Sequence, residues 1–253
     1  MSPLLCVDRV HHWFSGLHVI NDVSFSCRQG IIKAIIGPNG AGKTTLFNLV
    51  AGSLAPASGV IQYAGRPITG FPPHRVAGLG VARTFQASRL FPGMSVLENV
   101  MAGRHVLGRS GFLAGMLGLP SAAGDERAAR ASAMEILDYV GLASLADEEA
   151  RSLPFGQQRV VEIARALVSR PKLLLLDEPA CGLNLRETER LGDLIRGIRH
   201  QGITVLIVEH DMSLVMGICD EVVVLNYGSL VADGTPGEVQ ANSEVVAIYL
   251  GEE

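Results

Sequence analysis

The chain has little of what would place it outside an aqueous, reducing compartment. Its 253 residues hold four cysteines, Cys6, Cys27, Cys181 and Cys219, scattered without Cys-x-x-Cys spacing. That usage argues against a disulfide framework and against a zinc site, and fits a reducing cytosol. His11 and His12 lack acidic or cysteine neighbours in sequence, so no metal site is expected there. A formal net charge of −4 leaves no overall basic field of the kind that nucleic acid attracts. The longest stretch almost free of charge, Ser110 to Gly124, is too short and too rich in Gly and Pro to span a bilayer. The N-terminus lacks a charged-then-apolar signal pattern. No internal repeat and no heptad run is present. The expectation is a soluble, intracellular protein that, if it works at a membrane, docks there through a partner.

Against these absences stands one dense motif. Residues 37 to 45 read Gly-Pro-Asn-Gly-Ala-Gly-Lys-Thr-Thr, which is the phosphate-binding pattern G-x-x-x-x-G-K-[ST]. The apolar run Ile31, Ile32, Ala34, Ile35, Ile36 precedes it and reads as a buried strand. Thr45, Leu46, Phe47, Leu49 and Val50 follow at helical spacing. A strand before and a helix after form the context this loop requires. Its glycines let the backbone curl into an anion nest, and the helix N-terminus adds partial positive charge. Lys43 is placed to reach the β and γ phosphates, and the Thr44 hydroxyl to bind Mg2+. The motif names the ligand class and leaves the task open, since unrelated activities share it.

The rest of the chain reads as alternating strands and helices with a largely parallel sheet. Leu4, Leu5, Val7 and Val10 suggest one strand. Val19, Ile20, Val23, Phe25 and Cys27 suggest a second, with Gly16 and Asn21-Asp22 supplying turn chemistry. His11-His12-Trp13-Phe14 is expected between them, as a hydrophobic plug or as an aromatic platform for a purine. Residues 51 to 80, dense in Gly and Pro, read as loops with short strands such as Val60–Tyr63. Met94 to Met101 looks helical. Asp125 to Val140 is an amphipathic helix with Ala129, Ala133, Ile136, Leu137 and Val140 on its apolar face. A further helix follows Leu153-Pro154-Phe155-Gly156-Gln157 and stops at Pro171. Leu173 to Leu176 is a strand apolar on both faces, ending in Asp177-Glu178. A helix over Arg186–His200, a strand over Ile203–Val208, a hairpin around Tyr227-Gly228 and a helical tail complete the chain.

Four apolar residues followed by Asp-Glu match a Walker B strand. Asp177 emerges where ligands of open α/β sheets sit, and there it can hold Mg2+. Glu178 is placed to polarise an attacking water. With these motifs in place the chain resembles the nucleotide-binding subunit of an ABC transporter over nearly its whole length. The resemblance puts the Q-loop glutamine on Gln86, the signature on Leu153, Pro154, Phe155, Gly156 and Gln157, the catalytic glutamate on Glu178, the D-loop on Cys181 to Asn184 and the switch histidine on His210. It favours Phe14 as the aromatic that stacks on adenine, with Gly37, Pro38, Asn39, Gly40, Ala41, Gly42, Lys43, Thr44 and Thr45 around the phosphates. Mg2+ would be ordered by Thr44, Asp177 and Gln86. Two departures stand out: Pro154-Phe155 replaces the usual Ser-Gly, removing a hydroxyl and an N–H, and Asn184 replaces an aspartate.

Gly-Gln-Gln-Arg, Gly-Leu-Asn, Arg-Thr-Phe-Gln with Arg-Leu-Phe after it, and the ending Tyr-Leu-Gly-Glu-Glu resemble ATPases of branched-chain amino acid importers, and the long Gly/Ala-rich segment resembles the longer of that branch's two. The resemblance implies a single ABC ATPase domain over 1–253, with a P-loop core at 1–86 and 171–253, an N-terminal antiparallel β layer and a helical subdomain at about 87–170. It further implies hydrolysis of ATP with Mg2+ in a two-subunit sandwich, self-paired or with a paralogue. Permease subunits would be met through Ala87 to about Asn99, with a periplasmic binding protein reached indirectly. The chain would sit peripherally on the cytoplasmic side of the inner or plasma membrane. The alternatives are the compact ATPase of a lipopolysaccharide-type exporter and a soluble ABC ATPase outside transport. A P-loop kinase would leave the signature and His210 unexplained.

Overall fold

Two long antiparallel strands, β1 (Leu5–Phe14) and β2 (Leu17–Cys27), open the chain. The turn between them is only Ser15-Gly16, with φ of 44° and 92°. Two successive positive φ angles suit the right-handed twist of the strands they join. The segment His11–Phe14, expected between the strands, therefore belongs to β1 itself, and Asn21-Asp22, expected as a turn, lies inside β2. Asp22 takes φ 53° there, and the β1–β2 ladder shows register shifts between Val7 and His12 that absorb the irregularity. With β4 (Ser58–Tyr63) and β5 (Arg66–Pro67) these strands form a four-stranded antiparallel sheet ordered β2-β1-β4-β5. The structure is a computed structural model and describes residues 3–84, 90–104 and 120–250, the side chains of 120–123 and 250 excepted.

A second sheet combines β3 (Ile32–Ile36), β6 (Val81–Arg83), β7 (Leu173–Asp177), β8 (Thr204–Val208), β9 (Glu221–Asn226) and β10 (Ser229–Gly234), in the order β10-β9-β3-β8-β7-β6. Every pairing in it is parallel except β9 with β10. Each residue of β3, β7 and β8 is buried, which explains their unbroken apolar runs. Lys33, inside β3, is a charged exception. Its Nζ is held by Ser26 O at 2.7 Å, Asp233 Oδ1 at 2.6 Å and Glu221 Oε2 at 3.2 Å, so its buried charge is paired. Helix α1 (Lys43–Val50) contributes Leu46, Phe47, Leu49 and Val50 to one core with Val7 and Ile20 of the first sheet and Leu175, Leu206 and Val208 of the second. The phosphate-loop helix is thus packed against both sheets.

Helix α2 (Pro73–Gly78) falls where only loops and short strands were expected. The prolines that read as breakers start it instead, because the fixed φ of proline and its missing N–H are harmless at a first helical position. Among the described residues the helices α3 (Val96–Ala102), α4 (Pro120–Tyr139) and α5 (Phe155–Leu167) follow. Ser95 and Glu98 cap α3 reciprocally, and α4 begins five residues before the expected Asp125, again at a proline. Val96, Leu97 and Val100 pack with Ala133, Leu137, Val161 and Ala164 in a core of their own. After β7 come α6 (Leu185–His200), a short α7 (Met212–Ile218) that the sequence pattern did not reveal, and the tail helices α8 (Pro236–Ala241) and α9 (Ser243–Leu250). The chain packs as two units, residues 1–83 with 172–253, and residues 84–171. No helix among the described residues is long and apolar enough to cross a membrane.

Candidate functional site

Three neighbouring parallel strands bring the phosphate loop, Asp177, Glu178 and His210 to one edge of the second sheet. Strand β8 lies between β3 and β7, and Val208 is level with both Ile35 and Asp177. The segments that leave these strand ends are the phosphate loop, Glu178–Leu183 and Glu209–Asp211. In an open α/β sheet this edge, beyond the carboxyl ends of the strands, is where ligands bind.

The loop from Gly37 to Gly42 has no room for a side chain at either of its terminal glycines. A Cβ on Gly37 would lie 2.1 Å from the Leu225 carbonyl oxygen. Gly42, at φ 97°, precedes the first residue of α1, and a Cβ there would lie 2.8 Å from both Val19 O and Ile20 Cδ1. Lys43 is buried, and its Nζ donates to Gly37 O at 2.6 Å and Pro38 O at 2.9 Å. The ammonium is thereby folded back over the loop, while Thr44 on the first turn of α1 is exposed. A helix N-terminus with an ammionium beside it is an electrostatic seat for polyphosphate.

Asp177, only 2% exposed, ends β7. Burial raises its carboxyl above the ordinary carboxylate range, and the hydrogen bond and charge of Arg83 pull in the opposite direction. Arg83 Nη2 donates to Asp177 Oδ2 at 3.0 Å, and Nη1 donates to Asn48 Oδ1 of α1 at 2.7 Å. The next residue, Glu178, takes φ 46°, a conformation a long side chain adopts at a cost. Its N–H donates to Val208 O at 2.9 Å. His210 is exposed at the end of β8, and the wholly buried Glu209 precedes it.

Phe14 is 45% exposed. It meets His12 edge to face, with ring centroids 4.7 Å apart. His12 pairs with Ile20 in the ladder, and Ile20 lies against Gly42, so Phe14 shares the face of β1 that borders the phosphate loop. Trp13 turns the other way and stacks on His18 at 4.2 Å. Asn184 caps α6: its Oδ1 accepts from Glu187 N at 3.1 Å, and its own N–H donates to Glu187 Oε2 at 3.0 Å. The asparagine found where aspartate is usual thus serves a local cap equally well.

The residues Leu153 to Gln157 lie in the unit formed by 84–171. Pro154 is the N-cap of α5 without a side-chain hydrogen bond, Gly156 and Gln157 are half-buried in its first turn, and exposed Phe155 lies under the Arg159 guanidinium at 5.0 Å. Gln86 lies outside the described residues. Sequence reasoning passed over Arg83 and Glu209. Asp177, the partner of Arg83, lies 94 residues away and Ala180, a partner of Glu209, lies 29 away, so no local spacing marks them.

Comparison with known proteins gives the family of the chain. The sequence pattern described as ABC transporter matches residues 20–181, and that described as branched-chain amino acid ATP-binding cassette transporter matches residues 229–253. The chain is 43% identical over 252 residues, 99% of both chains, to the high-affinity branched-chain amino acid transport ATP-binding protein LivG of Salmonella typhimurium. It is 44% identical to BraF of Pseudomonas aeruginosa, which carries the same description, over 99% of this chain and 98% of that one. A solved nucleotide-free ATP-binding cassette from an ABC transporter superposes with a TM-score of 0.87 at 31% identity, covering 99% of this chain and 100% of that one. The α/β fold with a phosphate-loop core is the fold of these cassettes, and the chain belongs to the ABC transporter family as one of its ATPases.

Proposed function

We propose that this chain is the ATP-hydrolysing subunit of an importer for branched-chain or other hydrophobic amino acids. The observation that carries the hydrolytic part is the convergence of the phosphate loop, Asp177-Glu178 and His210 at the carboxyl ends of three adjacent strands. The solute class is supported by what LivG and BraF are said to transport and by the match over the last 25 residues, 229–253.

The adenine ring stacks on Phe14. The loop residues Gly37 to Thr45 seat the phosphates, with Lys43 neutralising the β and γ groups. The donor set suits Mg2+, since a buried carboxylate on Asp177 and an exposed hydroxyl on Thr44 are hard oxygen ligands, and Mg2+ is commonly held by one or two carboxylates together with substrate phosphates. Bound there with Gln86, Mg2+ would offset the charge on the phosphate oxygens during transfer. Glu178 orients the water and takes its proton, and His210 holds the γ-phosphate and the water in line. Catalysis is then by positioning and electrostatics. Leu153 to Gln157 face the nucleotide held by a second ATPase subunit, and Asn184 lies in the loop that meets that subunit. The core at 1–86 and 171–253 carries the nucleotide. The helical part at about 87–170 meets the permease through Ala87 to about Asn99, of which 87–89 lie outside the described residues. A periplasmic binding protein would act through the permease, and the chain would sit peripherally at the cytoplasmic face.

The experiment is to purify the chain with its membrane subunits, reconstitute the assembly in vesicles and measure ATP hydrolysis. Glu178→Gln is expected to keep ATP binding and to lose about 100- to 10,000-fold in turnover, because an amide cannot take the proton of water. Turnover within about threefold of wild type removes Glu178 from that role. Binding protein loaded with leucine should stimulate the wild type, and stimulation by a sugar-loaded protein instead would overturn the solute class.

A further inference from the structure

Glu209 is wholly buried, and the hydrolytic scheme above gives it no task. It stands between the two residues to which that scheme assigns the attack. Its Oε1 accepts from the Ala180 N–H at 2.8 Å. Its Oε2 accepts from the N–H groups of His210 at 3.1 Å and Asp211 at 3.4 Å. All three partners are backbone donors, so the site asks for a group that only accepts. A carboxylate meets that demand with both oxygens, and the three N–H bonds oppose the burial that raises its pKa, whereas an amide has one acceptor and two N–H donors.

The turn on the far side of Glu209 is a strained one. Glu178 is in the left-handed region at φ 46°, and Cys181 N donates to Glu178 O at 3.2 Å across the turn. Strained backbone of this kind persists where the surroundings over-determine it. Two contacts from the end of β8 do so here: Val208 O accepts from Glu178 N at 2.9 Å, and Glu209 accepts from Ala180 N. The same carboxylate holds the backbone where His210 begins.

We propose that Glu209 is a positioning residue, a single carboxylate strut that sets the turn carrying Glu178 and the backbone of His210 in register for attack on the γ-phosphate. This rests on the roles given to Glu178 and His210 above. The consequence is a division between binding and chemistry. Lys43 and the phosphate loop are held by other contacts, so loss of the strut should spare nucleotide binding while displacing the hydrolytic pair.

The test is Glu209→Gln in the full chain assembled with its membrane subunits. The amide keeps the size of the side chain but turns an N–H donor toward one set of backbone donors. Turnover is expected to fall about 100-fold, the effect of a small misplacement of reacting groups, with KM and ATP affinity within about threefold of wild type. Turnover within about threefold of wild type, or equal losses of binding and turnover, would overturn the proposal. Wild type and Glu178→Gln run beside it: if wild type itself does not hydrolyse ATP, the broader reading fails, whereas a normal wild type with an unaffected Glu209→Gln sinks this inference alone. Amide hydrogen exchange on the wild-type chain covers the case in which the variant does not fold. Protection of segments 178–181 and 209–212 is expected, and exchange there at the rate of unstructured chain overturns the strut.

Discussion

Arg83 and Asp177 form a buried ion pair, with Nη2 to Oδ2 at 3.0 Å and side-chain exposures of 14% and 2%. The same guanidinium reaches Asn48 and lies 5.2 Å above the Phe47 ring, so it ties the end of β7 to α1 through strand β6. Removing one member of a buried pair typically costs about 3–5 kcal/mol, more than the pair contributes over an apolar replacement. Arg83→Met should therefore lower unfolding stability by about that amount. Adding Asp177→Asn should restore most of it without restoring turnover. Urea denaturation of the single and double variants measures this, and additive losses would show that the two side chains are not coupled.

The two faces of β1 make opposite forecasts for adjacent aromatics. Phe14→Ala should weaken ATP binding by about 1–3 kcal/mol, the range for base–aromatic stacking, and leave binding of inorganic triphosphate unchanged. Trp13→Ala should change ATP binding by less than about 0.5 kcal/mol, because Trp13 stacks on His18 and turns away from that face. Calorimetric titration of both variants with both ligands decides it. Equal losses for ATP and triphosphate in Phe14→Ala would mean a disturbed fold.

Pro154 gives α5 no side-chain cap. Pro154→Ser should add a cap worth about 1 kcal/mol of helix stability. It should change turnover by less than about tenfold, since tenfold is already 1.4 kcal/mol of barrier. Gly156→Asp should be far worse, because in the proposed two-subunit arrangement it would set an anion where the γ-phosphate of the other subunit would sit, and like charges repel strongly in a dry interface. Both are assayed with the membrane subunits present. A hundredfold gain from the serine would make this chain a degenerate ATPase beside an active paralogue.

The thiols should separate by reactivity. Burial pushes both Cys27 and Cys219 up to about 12, whereas Cys181 is exposed after the Walker B turn. The thiolate is the reacting species. At neutral pH Cys181 should react with a disulfide reagent well before Cys27 and Cys219. Reaction of those two should rise about tenfold for each pH unit until the pH approaches their raised values. Mass spectrometry of a labelling time course shows the order, and equal rates for all three would contradict the burial of Cys27 and Cys219.

The strands β3, β7 and β8 were legible because burial on both faces demands an unbroken apolar run, and Leu173–Leu176 can be little else. The phosphate loop was legible because glycines at fixed offsets answer a local need of the backbone. Helix α2 was not, since Pro72-Pro73 reads equally as a stop or as a start. The path of His11–Phe14 was misplaced because a two-residue turn at Ser15-Gly16 suffices, so β1 runs on to Phe14.

By itself the sequence determined the class of ligand, the family and the order of the motifs, because each of these rests on residues near one another in the chain. Tertiary structure decided which groups hold those motifs in place. Arg83 meets Asp177 only because β6 lies beside β7, and Glu209 meets Ala180 only because β8 pairs with β7 on the other side. Such contacts depend on strand order and register, and hydrogen bonds and ion pairs act over a few ångströms of space whatever the separation along the chain.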